Sequence, residues 1–494
     1  MKLGEVANIL GSNIRAARGA TELAEREPTG YSIDSRTISA GELFFAIRGE
    51  KQDGHRFVSN AIASRALAAV VSRGFLNSEY GREIDPQQAA LIIVDDTLSA
   101  LQSLAASVLK DWHGRVIGIT GSLGKTTTKE MAAAMLARAG RVVKSTGNLN
   151  NDYGLPLSVL EMESSGRHSS DFDYAVFEMG MNHKGEIARL TRIAPPAVGV
   201  VTIVAPAHLE FFRSVDEIAE AKAEMVAGIV PGGVAVLNAD DDRVAAMAGR
   251  RDDILGLTFG IEREANVMAR EIRANGLSGS GFLLATPRGE IPVKLPIAGR
   301  HNIYNAIAAA AVADHYKTPL EEIAAALEGT RAPKMRGEVL HFREGLTLID
   351  DSYNSNPQAL LGMVRTMLDN RECKRRIVVA GEMLELGASG PEIHREAGRR
   401  ISLLGIDKLI GVRGLATHIV EAARNAGMRD AVFVETPEQA AEILTGEAQA
   451  GDLILVKGSR GVKTEIVVER MKRTFEGTQD SHMPKTGDAA KGSC

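Results

Sequence analysis

The sequence predicts an α/β protein of three domains, and three observations carry that reading. Short apolar runs of strand length alternate with segments of helical period along most of the 494 residues. In the middle and last parts these runs are nearly continuous in Val, Ile, Leu and Ala, the pattern of parallel strands covered by helices on both faces. The alternation changes character near Trp112-His113-Gly114 and again near Arg331, which divides the chain into 1–112, 113–330 and 331–476. The polar stretch 477–494, rich in Gly, Lys and Asp, reads as a disordered tail.

In the first domain the strands fall at 43–47, 67–71 and 91–94, and a helix over 98–109 leads to the boundary. In the second they fall at 116–120, 174–178, 198–204 and 234–237. The segment 266–296 is punctuated by Gly-Ser turns and Thr-Pro-Arg-Gly, so it is expected to be an antiparallel insert. An alanine-rich helix follows from Asn302 to about residue 313. In the third, strands at 346–349, 377–380, 408–411, 431–434 and 453–457 have the spacing of a doubly wound, Rossmann-like sheet.

Composition narrows the function. A net charge of −5 leaves no basic footprint, so nucleic acid is not an expected partner. No apolar run is long enough to cross a bilayer, and Met1 to Gly11 lacks a signal pattern, so a cytoplasmic protein is expected. The two cysteines, Cys373 and Cys494, exclude a disulfide framework and a cysteine-rich zinc site.

One turn carries the most chemistry. Thr120-Gly121-Ser122-Leu123-Gly124-Lys125-Thr126-Thr127-Thr128 follows an apolar strand and opens a helix. Strand, glycine turn, Lys-Thr and helix make a phosphate-binding loop. Backbone N–H groups would close on phosphate oxygens, Lys125 would reach the β- and γ-phosphates, and Thr126 would ligate Mg²⁺. The commonest form of the pattern has glycine where Ile119 stands. The central domain is therefore read as P-loop ATPase-like.

Ligands of parallel sheets gather at the C-terminal ends of strands. Glu178 ends one strand and is either a Mg²⁺ ligand or a surface acid. His208 follows another, as a metal ligand or a solvated loop histidine. Lys222 falls on the apolar stripe Val215, Ile218, Ala219, Met225, Val226. It either snorkels or keeps a desolvated, neutral amine able to take up CO₂ as a carbamate. Asn302 stands at a strand-to-helix junction, as an N-cap or as a contact to a base. Asp350-Asp351-Ser352-Tyr353-Asn354-Ser355-Asn356-Pro357 is richer in polar groups than a turn requires.

In order, residues 120–128, Phe177-Glu178-Met179-Gly180, Ala207-His208-Leu209-Glu210, Ala221-Lys222, His301-Asn302-x-x-Asn305, Arg336 and Asp351-Ser352-Tyr353-Asn354 resemble the Mur ligase family. The resemblance runs from about Tyr31 to Arg470 and rests on order and spacing. It implies ATP-dependent amide formation through an acyl phosphate in peptidoglycan precursor synthesis, with ATP and Mg²⁺. It implies that Thr120 to Thr127 and Lys125 hold the phosphates. Thr126 and Glu178 would belong to Mg²⁺ sites with His208 beside them, and Lys222 would match a carbamylated lysine. Asn302, Arg336 and Asp351 would hold adenine, phosphate and ribose.

Gly381-Glu382-Met383-Leu384-Glu385-Leu386-Gly387, His394, residues 351–357 and Lys457-Gly458-Ser459-Arg460 look like the branch that adds D-alanyl-D-alanine to UDP-N-acetylmuramoyl-tripeptide. The Asp-Asn-Pro-Arg string of the diaminopimelate-adding branch is absent. By the same resemblance, Ser35, Arg36 and His55 belong to a uridine-nucleotide region and Asn150 and Asn151 to a substrate loop. Asn354, Asn356, Lys457 and Arg460 would meet substrate in the third domain, and a monomer is expected. The alternatives are a sister ligase adding another amino acid and, from another class, a P-loop switch or transport ATPase.

Overall fold

Parallel strands cannot be joined by tight turns, so each connection must return over a face of the sheet. That rule organises the computed structural model, which describes residues 1–478 apart from 17–18, 50–51, 83, 85–88, 207–208, 371 and 476. The sequence falls into three sheets, as expected.

In the first, Tyr31–Ser32, Leu43–Phe45, Ala68–Ser72 and Leu91–Val94 pair in parallel, and Ile14–Arg15 pairs antiparallel with Leu91–Val94. The helix Thr97–Asp111 follows, and its N-cap Asp96 accepts from Ser99 N at 2.6 Å. The boundary at Trp112 is packed, not loose. Trp112 is buried, donates Nε1–H to Phe172 O at 2.8 Å, and joins a core shared by the first and second domains.

The central sheet has nine strands. Arg115–Thr120 is an inner strand, between Tyr174–Glu178 and Val198–Val201, all parallel. Val142–Lys144 lies outside Tyr174–Glu178, while Val234–Asn238 and Leu255–Gly260 continue the other side. Residues 266–296 are not an insert. Val267–Ala274 pairs in parallel with Leu255–Gly260, and Ser280–Thr286 and Gly289–Leu295 then extend the same sheet antiparallel. The expected strand 198–204 stops at Val201, because Thr202 to Ala205 turn to bind the phosphate loop.

The alanine-rich helix spans Arg300–His315, with Ala306 to Ala313 buried. Its small side chains let it lie close on the helix Lys125–Leu136. It starts two residues earlier than expected, with Gly299 in the N-cap position, so Asn302 is not a cap.

In the third domain, Ala431–Val434, Lys408–Val412, Arg375–Gly381, Asp452–Lys457 and Thr347–Asp351 are parallel in that order. Glu338–Phe342, which the apolar-run pattern missed, adds antiparallel to the edge. The expected tail begins two residues too early. Gly477–Thr478 pairs with His341 and Phe342, and the rest of the tail lies outside the described residues. Among the described residues no helix is long and apolar enough to cross a membrane.

Arg375 clasps Asp452 from the neighbouring strand, Nε to Oδ1 at 2.8 Å and Nη2 to Oδ2 at 2.6 Å, and the Asp452 side chain is 1% exposed. Arg375→Ala strands that carboxylate in the core. It is expected to cost about 3 kcal/mol, read as a lowered urea midpoint, with ADP affinity unchanged.

Candidate active site

Two glycines of the phosphate loop are demanded by sterics. Gly121 has φ +148° and Gly124 φ +81°. A Cβ on Gly121 would lie 1.8 Å from Thr202 Oγ1, and one on Gly124 2.1 Å from Asn305 Oδ1. Thr202, which the sequence motifs did not single out, donates its hydroxyl to Leu123 O at 2.5 Å. The expected strand 198–204 included it, and its only signal was a hydroxyl within an apolar run. Ser122 N donates to Ile203 O at 2.8 Å, and Ser122 Oγ to Ala205 O at 3.0 Å. The loop is thus held before any ligand arrives. Lys125 Nζ curls back to Gly121 O at 2.9 Å.

Parallel register sets Glu178 beside Ile119, at the root of the loop. Each of its carboxylate oxygens accepts one hydrogen bond: Oε2 from Thr126 Oγ1 at 2.7 Å and Oε1 from Asn150 Nδ2 at 2.8 Å. Glu178 is 2% exposed, so it is not a surface acid. A carboxylate and a hydroxyl are hard oxygen donors, the set Mg²⁺ takes together with phosphate oxygens and water. Among the described residues no group of three His, Cys, Asp or Glu could hold a metal alone. The residues therefore fit a Mg²⁺ that arrives with a nucleotide.

Lys222 lies on the helix Val215–Ala227, capped by Ser214, whose Oγ accepts from Glu217 N at 3.2 Å. Ile218, Ala219, Met225 and Val226 are buried on the same side, and Lys222 itself is 2% exposed, so its head does not snorkel to open solvent. No hydrogen bond or ion pair joins its Nζ to another described residue. Burial, then the charge of Lys125, hold its pKa well below the ordinary lysine range. Lys125 is also lowered by burial, with Glu178 opposing and Arg336 adding to the effect.

The third domain supplies the facing wall. Asp351 and Lys457 are register partners on adjacent strands, and Lys457 Nζ donates to Asp351 Oδ2 at 2.6 Å and Asn354 O at 2.8 Å. The Arg336 guanidinium stacks 4.0 Å above the Tyr353 ring, a partnership that sequence distance hid. Asn356 caps the helix Pro357–Leu368, its Oδ1 accepting from Ala359 N at 2.9 Å. Between the walls lies one cavity of about 1000 Å³. It is lined by Ser122 to Thr127, Asn150, Glu178, Lys222, Asn302, Arg336, Asp351, Asn354, Asn356 and Lys457. Asn302 Nδ2 donates to Ala298 O at 2.8 Å, and its Oδ1 accepts from Asn305 Nδ2 at 3.0 Å.

Other expected residues stand elsewhere. Thr120 and Gly121 form the base of the loop and do not line the cavity. Asn151 Oδ1 accepts from Gly154 N at 2.9 Å at the start of a helix. Ser35 and Arg36 lie in the turn after Tyr31–Ser32, where Arg36 pairs with Asp34 at 2.6 Å. His55 is buried, with Nδ1 against Asp53 Oδ1 at 2.6 Å and Nε2 accepting from Ser72 N at 3.0 Å. Arg460 is exposed and pairs with Glu465 at 3.0 Å. His208 lies outside the described residues.

The 381–387 loop sits against the central domain. Glu210 N donates to Glu385 O at 3.1 Å, and Gly387, at φ +55°, leaves only 3.2 Å between an added Cβ and Glu210 Cα. His394 braces this loop from inside, its Nε2 accepting from Met383 N at 3.0 Å and its Nδ1 donating to Gly390 O at 2.7 Å.

A phosphate loop at the carboxyl edge of one sheet, faced by polar strand ends of another, defines a nucleotide-using enzyme that works between domains. Comparison with known proteins supplies the family. The Mur ligase family, catalytic domain, matches residues 27–108; the Mur ligase middle domain, 119–313; and the Mur ligase, glutamate ligase domain, 335–460. The UDP-N-acetylmuramoyl-tripeptide–D-alanyl-D-alanine ligase of Bacillus subtilis is 35% identical over 89% of this chain and 92% of its own length. Its Escherichia coli counterpart is 35% identical over 89% and 93%. A crystal structure of MurF from Acinetobacter baumannii superposes with a TM-score of 0.81 at 30% identity, covering 96% of this chain and 98% of its own. MurF ligase from Thermotoga maritima in complex with ADP gives 0.76 at 28% identity, covering 90% and 97%. The chain belongs to the Mur ligase family.

Gly124→Ala is expected to weaken ADP binding at least about tenfold by calorimetry, since the new methyl meets Asn305 in a backbone conformation that favours glycine. Burial holds His394 below its ordinary 6.5. The unfolded chain therefore takes up the proton first as pH falls. The resulting stability is whole above pH 6.5 and is lost as pH falls through the lower folded value. Urea midpoints should decline over that window, and His394→Gln should remove this part of the slope.

Proposed function

We propose that the protein joins D-alanyl-D-alanine to UDP-N-acetylmuramoyl-tripeptide, consuming ATP, in peptidoglycan precursor synthesis. One observation carries the reading: the phosphate loop, Glu178 and Lys222 face Arg336, Asp351 and Lys457 across a single cavity. Similarity to ligases of that name, over about nine-tenths of the chain, supports this choice of substrates.

The first domain binds the uridine nucleotide, the second ATP and the third the dipeptide. The phosphate loop and Lys125 hold the β- and γ-phosphates, and Asn302, Arg336 and Asp351 hold adenine, phosphate and ribose. The tripeptide carboxylate attacks the γ-phosphorus and ADP leaves, which gives an acyl phosphate. The amine of D-alanyl-D-alanine then attacks the acyl carbon. The tetrahedral intermediate expels phosphate, and the amide remains once the nitrogen loses its proton. Positive groups fixed around the cavity lower both barriers by meeting charge where it develops.

Lys222 reacts as the neutral amine with CO₂, releasing a proton and leaving a carbamate. Thr126, Glu178 and that carbamate would hold Mg²⁺; the metal would supply charge neutralisation for the migrating phosphoryl group. ATP and nucleotide-linked substrates support a cytoplasmic location for the reaction.

Phosphate release should require the tripeptide nucleotide and rise sharply when D-alanyl-D-alanine is added. Release indifferent to the dipeptide would favour a switch or transport ATPase. Lys222→Ala should lose at least about 100-fold in kcat and recover in part with short-chain carboxylates. Full activity in that variant excludes the carbamate.

A further inference from the structure

The helix that leaves the phosphate loop carries a second lysine, Lys129, which no step above uses. It lies one turn beyond Thr126, so the two side chains share a face of Lys125–Leu136. Lys129 is 0% exposed. An ammonium is tolerated there only when it is paired and hydrogen-bonded. Its Nζ lies 3.1 Å from Glu130 Oε1 and donates to Ser145 O at 2.6 Å and Gly147 O at 3.5 Å.

Those two carbonyls belong to the irregular turn after the strand Val142–Lys144. Neither accepts from a backbone N–H among the described residues. Ser145 Oγ accepts from Glu178 N at 3.1 Å. The turn then runs on to Asn150, whose Nδ2 holds Glu178 Oε1 and whose carbonyl accepts from Gly180 N at 2.8 Å. A buried Met or Leu would fill the space beside the sheet without desolvating a charge, but it would leave both carbonyls without a donor.

We infer that Lys129 is a positioning residue. By clamping the Ser145–Gly147 turn it fixes the backbone and one carboxylate oxygen of Glu178, while Thr126 fixes the other oxygen. The inference rests on Glu178 being a ligand of the nucleotide-borne metal. Groups that orient a metal ligand typically change affinity by about 10- to 100-fold when removed.

The test uses the full chain, ADP, and Mn²⁺ in place of Mg²⁺, with Mn²⁺ binding read by electron paramagnetic resonance. Lys129→Met should weaken Mn²⁺ binding to the ADP complex about tenfold, while ADP affinity in EDTA stays within about twofold. In a Glu178→Gln background the same substitution should add nothing. Weakened Mn²⁺ binding in Glu178→Gln with none in Lys129→Met overturns the role of Lys129 alone. Unchanged Mn²⁺ binding in Glu178→Gln overturns the metal reading itself. A parallel loss of ADP affinity in EDTA would make Lys129 a general packing residue and also overturns the inference. Should Lys129→Met not fold, Ser145→Ala breaks only the link from the turn to Glu178. A fall of about threefold supports the path, and unchanged affinity overturns it.

Discussion

The hydrogen bond between the Thr126 hydroxyl and the Glu178 carboxylate joins the phosphate loop to the neighbouring strand, and the rest of the site is built outward from it. It exists because parallel pairing sets Ile119 beside Glu178, so that two segments distant in sequence end at the same level. With Asn150 on the other oxygen, each carboxylate oxygen has one donor and keeps a lone pair free for a further ligand. Lys222 is the opposite case, a buried amine with no acceptor among the described residues and a second lysine in its field. An unpaired ammonium in such a place costs several kcal/mol. The cavity is therefore electrostatically unfinished, and only an incoming anion or a change in the lysine itself completes it.

Much of this was legible because buried parallel strands read as apolar runs and their polar ends read as motifs. Tyr174–Glu178 and Ala431–Val434 lie where the pattern places them. Short or half-exposed strands were not legible. Val142–Lys144 is three residues long, and Glu338–Phe342 alternates buried and exposed positions too briefly to signal a core. The hairpin beyond Val267–Ala274 reads as separate because only one of its faces needs apolar residues, although its hydrogen bonds continue the main sheet.

Within the site, residue type was a better guide than residue role. Glu178, Lys222, Asp351 and Lys457 line one cavity. Asn302 looked like a cap, but Gly299 begins the helix, which frees the asparagine to bridge Ala298 and Asn305. His55 and Asn151 are engaged in local hydrogen bonds that spacing does not distinguish from ligand contacts. Thr202 and the stacking of Arg336 on Tyr353 are tertiary facts, created when separate loops meet.

The first two domains share a hydrophobic core through Trp112, whereas the third has cores of its own, against one of which Leu209 and Leu277 of the central domain pack. The bond from Glu210 N to Glu385 O crosses between central and third domains using main chain alone. Such a contact is blind to the side chains on either side of it. The place where the loops touch therefore survives a change of the Glu210 or Glu385 side chain. Gly387, pressed against Glu210, leaves no room for a side chain, and Met383 and Leu386 of the same stretch are held by burial in the third domain's core. Contact between the two domains is thereby uncoupled from side-chain identity at those two positions.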